Sequence, residues 1–394
     1  MYTFLALDEI SKDSNEFSKI IWRKKMMRLH VNEVAFRGDS ALPSFIKELQ
    51  TPMELFNYFF SNEIIEIIVA QTNRAAFNKD INTNFKTTVE EMRHYIGILL
   101  YMSIYRYPNL EAYWGKNAFK PIQNSMSVKK FMLIKQYLTF QDESERIQKG
   151  QPGYDPLFRV RTLADKINKQ FDTIPKTARL CVDEQMCSTK IKHHLRQYLP
   201  NKPHKWGIKL FVLCDSYGYA YRFEIYHGAG DNVILPGAPD LGSAANVVVR
   251  LSQTIPDFVN HIVYFDNFYT TLPLLVYLRA RGIFSLGTMR ANRIPNCKFP
   301  SDKEINKEQR GYSIEYVAAA YGIDISNVIW KDNKSVRLAS TYVGIQPFQR
   351  ANSTEHAAKA PRYDRKQKQY HEVDCPQIIH DITATWAVST LWMD

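Results

Sequence analysis

The stretch HIVYFDNFYTTLPLLVYLRARGIFSLGTMR, His261 to Arg290, decides the fold. It opens on a short aromatic and β-branched run and passes into TLPLLVYLRARG, a helix with Pro273 tolerated near its start and Gly282 suited to the position past its end. FSLGTMR then returns to a strand. Upstream, ARLCVDEQM (178–186) reads as a short buried strand, and WGIKLFVLCDSYGYAYRFEIYHG (206–228) reads as two long strands joined by a turn at Ser216 to Gly218. GSAANVVVRLSQTIP (242–256) is expected to be helical, because its alanines and length outweigh the valine triplet. Three strands, a helix, a strand, a helix and a strand make the skeleton of a ribonuclease H-like α/β core, a mixed sheet with helices, over residues 176–291. An ordinary doubly wound sheet would alternate from its first strand.

On either side of that core the period changes. Residues 51–175 read as a helical region with dimerisation or DNA-binding as its expected role. Thr51, Pro52 and Glu54 form a capping box ahead of FNYFFSNEIIEIIVAQT, and Thr88 and Glu91 form another ahead of MRHYIGILLYMSIY. SVKKFMLIKQYLTF (127–140) and RTLADKINKQF (161–171) supply further helices. Residues 1–50 read as a partly ordered lead-in. Residues 292–345 form a β-rich insertion expected beside the main sheet, with Asp332 and Asn333 at a turn between apolar strands. Residues 346–381, including the basic KAPRYDRKQKQYHEVD, read as a flexible linker returning to the core, and 382–394 form an unusual tail, ITATWAVSTLWMD.

Lysine and arginine number 51 against 40 acidic residues, a formal net charge of +11, so a polyanion is the expected partner. The longest apolar run, YIGILLYMSIY, is too short to span a bilayer, and MYTFLALDEI meets acid at Asp8 and has neither the basic n-region nor the small-residue cleavage site of a secretory signal, so no membrane association is expected. Five scattered cysteines without a C-x-x-C pair suit a reducing compartment and suggest neither a zinc site nor a disulfide framework.

Asp183 and Asp266 each follow an apolar run at the end of a strand, where a carboxylate is costly to bury unless something neutralises it. Held together, they are candidate catalytic residues and candidate ligands for Mg²⁺ or Mn²⁺, which prefer hard oxygen donors. The alternative is that each caps the turn or helix after its strand. Asp215 and Asp231 read as turn residues, Glu184 and Asn267 either support the site or sit in solvent, and His193 and His194 read as a surface pair. Lys202, Lys205 and Lys209, interleaved with Tyr198 and Trp206, are candidates for double-stranded DNA, as are Arg290 and Arg293 after the last core strand. The competing reading is a solvated loop with Trp206 in the core.

VDEQM, PNKPHKWGIKLFVLCDS, FDNFYTTLPLL and GTMRANR, in that order and spacing, resemble the piggyBac transposase family, cut-and-paste DNA enzymes and their domesticated derivatives. The resemblance runs from Pro52 to Asp381. It implies divalent-metal-dependent strand cleavage and transfer, joining at TTAA, and a homodimer; a nuclear location is expected from the DNA reading and from the basic stretch around Arg362 to Lys368. It also implies that Asp183 and Asp266 match the first two of three catalytic aspartates. The third belongs to a G-G-V-D motif soon after a C-P-x-I-I stretch. CPQIIHD (375–381) matches that approach, and no G-G-V-D follows it. The family's cysteine-rich zinc-binding tail is also missing from the sequence. A permitted back-translation of the tail, read one base out of frame, gives YSHMGGVDFMD, so an out-of-frame tail is the expectation for 382–394. The readings in play are therefore a transposase impaired as written, a domesticated DNA or chromatin binder, a decayed gene product, and, more remotely, a ribonuclease H-type nuclease.

Overall fold

Two threonines start helices where the capping pattern places them. Thr51 Oγ1 accepts from the Glu54 amide at 3.2 Å while the Glu54 carboxylate accepts from the Thr51 amide at 2.8 Å, opening α1 (Pro52–Phe59). Thr88 and Glu91 repeat the exchange at the start of α3 (Val89–Ile104). The run expected to continue through FNYFFSNEIIEIIVAQT breaks instead, because Phe60 leaves the helical region and Ser61 is extended, so α2 (Asn62–Lys79) starts anew. With α4 (Val128–Tyr137) and α5 (Phe158–Phe171) these helices bury Ile65, Met92, Tyr95, Ile98, Phe131 and Ile134.

This helical unit spans residues 42–174 of a computed structural model that describes residues 7–200, 202–228, 230, 232–348, 358–364 and 368–389. Residues 1–41 and 175–394 assemble the other unit. Its strands are β1 (Arg179–Ser188), β2 (Arg196–Tyr198), β3 (Trp206–Asp215), β4 (Ala220–Ile225), β5 (Ile262–Phe265), β6 (Phe284–Thr288), β7 (Ser313–Ala320), β8 (Ile323–Lys331) and β9 (Ser335–Ser340). They form one sheet in the order β2-β3-β1-β5-β6-β9-β8-β7, with β4 also paired to β3. β1 runs antiparallel to β3 and parallel to β5, and β5 runs parallel to β6. Helix α6 (Ser243–Leu251) lies between β4 and β5 in sequence, and α7 (Leu272–Ala280) between β5 and β6. Gly282 ends α7 at φ +73°, where a Cβ would also sit 2.5 Å from Phe258 Cα. The mixed ribonuclease H-like sheet is therefore present, with the additional short strand β2 that the sequence reading did not anticipate.

Two expectations are revised. The 292–345 segment does not lie beside the sheet but extends it, since β9 pairs antiparallel with β6 through Gly287↔Ala339 and its neighbours. Phe284, Leu286, Val328 and Leu338 consequently share one core, and the β6 edge is covered. Within 346–381, residues expected to be flexible form a hairpin, β10 (Lys359–Asp364) with β11 (Gln369–Asp374). Arg310 and Arg362 both bond Asp332, and Trp330 Nε1 donates to the Asp374 carbonyl, fixing the hairpin to the β8–β9 turn. Next comes α8 (Gln377–Ser389), which takes in part of the tail, with Ile378, Ile382 and Thr385 buried. Residues 390–394, and Asp231 with its expected turn, lie outside the described residues. The lead-in, finally, is held from residue 7 onward. Arg23 and Val317 exchange both backbone hydrogen bonds, and Trp22 Nε1 donates to the Pro295 carbonyl at 2.8 Å. No helix among the described residues is long and apolar enough to cross a membrane.

One buried carboxylate ties these additions together. Glu315, 3% exposed, accepts from the Met27 amide at 2.8 Å, the Ile345 amide at 2.9 Å and Ser326 Oγ at 2.7 Å. Replacing it by alanine orphans two buried amides, so Glu315→Ala is expected to destabilise this unit by about 3 kcal/mol. Chemical denaturation measures the loss, and limited proteolysis should cut first within residues 7–41.

Candidate active site

The parallel pairing of β1 with β5 stops at the register Val182↔Phe265, so Asp183 and Asp266, the next residue on each chain segment, fall side by side. Asp266 is the first residue past β5, whereas Asp183 sits within β1, which runs on to Ser188 beside β3 instead of ending at Asp183 as the sequence suggests. Neighbouring strands are about 4.8 Å apart, which brings the two carboxylates to one spot. Each is locally tethered. Asp183 Oδ1 accepts from the Glu184 amide at 2.8 Å, and Asp266 Oδ1 accepts from the Phe268 amide at 2.7 Å. The Asp266 carbonyl also accepts from Thr270 Oγ1 at 2.7 Å. That turn fits against β6 because residue 287 is glycine; a Cβ there would run into Thr270 Oγ1 and the Phe265 carbonyl. Asp266 thus does cap the turn after its strand.

The electrostatics are unbalanced. Burial pushes the Asp183 carboxyl up to about 7, with repulsion from Glu184 and Asp266 adding to it and Lys202 opposing. Asp266 is raised as well, by burial first and then by Glu184, against the Phe268 amide and Arg290. Lys202 Nζ lies 3.8 Å from Glu184 Oε1. The Tyr269 hydroxyl is buried in the same cluster without a hydrogen-bond partner, and burial with Glu184, Asp183 and Asp266 nearby raises it well above its usual value. Two crowded, desolvated carboxylates beside an orphaned hydroxyl fit a hard divalent cation, which prefers oxygen donors and keeps part of its shell for water or phosphate. Among the described residues, no group of three or more His, Cys, Asp and Glu side chains forms a metal site, so Asp183 and Asp266 stand as a pair.

The remaining sequence candidates separate. Trp206 and Tyr198 are 47% and 49% exposed, which removes the core reading of Trp206; their rings lie 4.8 Å apart, with Arg196 stacked 4.2 Å over the indole. Lys205 is exposed near this aromatic pair. Arg290 Nε donates to Asn267 Oδ1 at 2.9 Å, while Arg293 Nη1 donates to the carbonyls of Asn267, Phe268 and Thr270. Arg293 therefore clamps the loop that carries Asp266. Lys209 is buried, with its ammonium among aromatic rings. His193 and His194 stack on each other at 4.2 Å at the surface, and Asp215 accepts from the Tyr217 and Tyr219 amides as a turn residue. Asp381 is not part of the pair. It accepts from the Tyr342 hydroxyl at 2.7 Å and lies 3.8 Å from Arg179, the first residue of β1 and about 13 Å along the strand from Asp183. Sequence reading missed Tyr269, although its place three residues after Asp266 in FDNFYT was a usable signal.

A carboxyl whose folded value is raised binds its proton more tightly in the folded state. Its penalty is absent below the unfolded value near 4 and develops as pH rises toward 7. In EDTA, Asp183→Asn is therefore expected to be more stable than the parent by about 2–4 kcal/mol at pH 8. The difference should vanish near pH 4, as read by denaturant titration at both pH values.

Comparison with known proteins agrees with this architecture. The profile described as Transposase IS4 matches residues 51–392. Human PiggyBac transposable element-derived protein 2 is 28% identical over 355 residues, covering 86% of this chain and 56% of that protein. Human PiggyBac transposable element-derived protein 3 is 26% identical over 386 residues, covering 96% of this chain and 61% of that protein. The chain thus spans 56% to 61% of the length of these relatives. The cryo-EM structure of the piggyBac transposase synaptic complex with hairpin DNA shares the fold, with a TM-score of 0.68 at 22% identity over 90% of this chain and 70% of that one. With the profile covering most of its length and two relatives bearing the piggyBac name, the chain belongs to the piggyBac transposase family.

Proposed function

We propose that Asp183 and Asp266 are the metal-holding catalytic pair of a DNA strand-transfer site, of cut-and-paste type and directed at TTAA, and that the chain as written performs this reaction weakly or not at all. The observation that carries the reading is the adjacency of the two carboxylates just past the last register pair, Val182↔Phe265, of parallel neighbours β1 and β5. Bound Mg²⁺ or Mn²⁺ would stabilise the charge on the attacking and leaving oxygens of a phosphodiester. The protein's own part is positional. Phe268 and Glu184 amides orient the two carboxylates, and Arg293 holds the loop bearing one of them. Lys202 and Arg290 border the pair and supply phosphate contacts, while Lys205 adds one further off, at the start of β3, where Tyr198 and Trp206 offer ring faces to bases. Weak activity follows from the family resemblance. The third aspartate belongs in G-G-V-D, the segment after Asp381 reads otherwise, and a site that works by positioning tolerates a missing ligand poorly. We read that segment as out of frame, which sequencing of the transcript tests.

A second reading, a domesticated DNA or chromatin binder, is favoured by the exposed cationic and aromatic surface around Lys205 and Trp206, which needs no metal. Both readings place a homodimer in the nucleus, open to light scattering and to imaging of the tagged chain. Fluorescence anisotropy on a TTAA-containing duplex is expected to show affinity falling linearly in log salt. Lys202→Ala, Lys205→Ala and Arg290→Ala should each lower that slope by about 1. Excision of a labelled transposon end in Mn²⁺ is expected to be undetectable. Robust excision would overturn the impaired reading, and salt-independent binding would overturn both.

A further inference from the structure

Lys209 answers a different need from the one its neighbours serve. Sequence alternation in WGIKLFVLCD places it on the same face of β3 as Phe211 and Leu213, and the structure leaves it 9% exposed. Its ammonium lies 4.6 Å from the Phe211 ring centroid, 4.9 Å from Phe268 and 5.5 Å from Tyr226. Ring faces stabilise a cation that has lost its water. The antiparallel register Glu184↔Phe211 and Met186↔Lys209 sets Glu184 diagonally across from Lys209 on the same face. Phe268, one wall of the cage, is the residue whose amide binds Asp266 Oδ1. Burial pulls the Lys209 ammonium below its usual value; Glu184 and Asp266, and Asp183 least, oppose that shift by attracting the charge, while Lys202 adds to it. A buried lysine enclosed in this way cannot reach out to a phosphate.

The geometry points to Lys209 as an internal counter-ion, a positioning residue whose fixed positive charge balances Glu184, Asp183 and Asp266 before a divalent cation arrives and limits how tightly they hold it. This rests on the metal reading of Asp183 and Asp266 given above. Removing the charge leaves the carboxylates mutually repelled in the metal-free protein and makes their attraction for a cation stronger.

Two measurements test it on the full chain. In EDTA, Lys209→Met is expected to lower Tm in the parent background and to lower it distinctly less in a Glu184→Gln background, while Lys209→Arg stays near the parent. In a Mn²⁺ titration followed by electron paramagnetic resonance, Lys209→Met is expected to bind several-fold more tightly than the parent, Lys209→Arg within twofold of it, and Asp183→Asn much more weakly. Equal Tm losses in the two backgrounds, or unchanged Mn²⁺ affinity in Lys209→Met, would overturn the counter-ion role. If the parent takes up no Mn²⁺ at all, the metal reading of the aspartates fails, and the Tm cycle alone decides for or against Lys209.

Discussion

β1 and β5 lie side by side and run in the same direction, and the position of every group at the site follows from that pairing. Parallel neighbours cannot be joined by a hairpin; the chain must cross over the sheet, and here the crossover includes α6. The same arrangement repeats through α7 to β6. Because the strands are parallel and in this register, β5 ends beside the middle of β1, and two aspartates distant in sequence become neighbours.

The two ends of these strands are treated differently. At the start of β1, Arg179 bonds the Tyr264 hydroxyl at 2.7 Å, Tyr264 meets Tyr342 at 3.1 Å, and Tyr342 donates to Asp381, so a buried carboxylate on α8 is fully answered. At the far end, Asp183, Asp266 and Glu184 crowd together with a buried hydroxyl left unpaired. A chain that satisfies one polar cluster completely and leaves the carboxylates of the other crowded and desolvated has kept a place where a cationic ligand is welcome. Local frustration of this kind is common where proteins act and rare where they merely hold together.

Much of this was legible in the residues. The capping boxes at Thr51 and Thr88, the helix between Pro273 and Gly282, and the strand order of the core follow from local chemistry that tertiary contacts did not override. The two aspartates were legible because apolar runs lead straight into them. What escaped were features decided by partners far along the chain. β2 is too short to carry a pattern and exists only through its pairing with β3. KAPRYDRKQKQYHEVD looks like solvated linker until Asp332 and Trp330 give its Arg362 and its backbone something to hold. Glu315 looks like a surface residue in a strand, yet three donors arrive from Met27, Ser326 and Ile345. Lys209 is the intermediate case, because its alternation with Phe211 and Leu213 already marks an inward direction, while its charge argues for an outward one.

The helical unit is a continuous segment, residues 42–174, threaded between two parts of the other unit. On a ribosome, that segment emerges whole and can collapse on local contacts soon after its last helix is made. The sheet unit has no such option. Arg23 must wait for Val317, and Met27 for Glu315, which are made nearly three hundred residues later. The stretch around Arg23 and Met27 therefore remains without these partners throughout most of synthesis, and closing that long loop is a late and slow step of assembly.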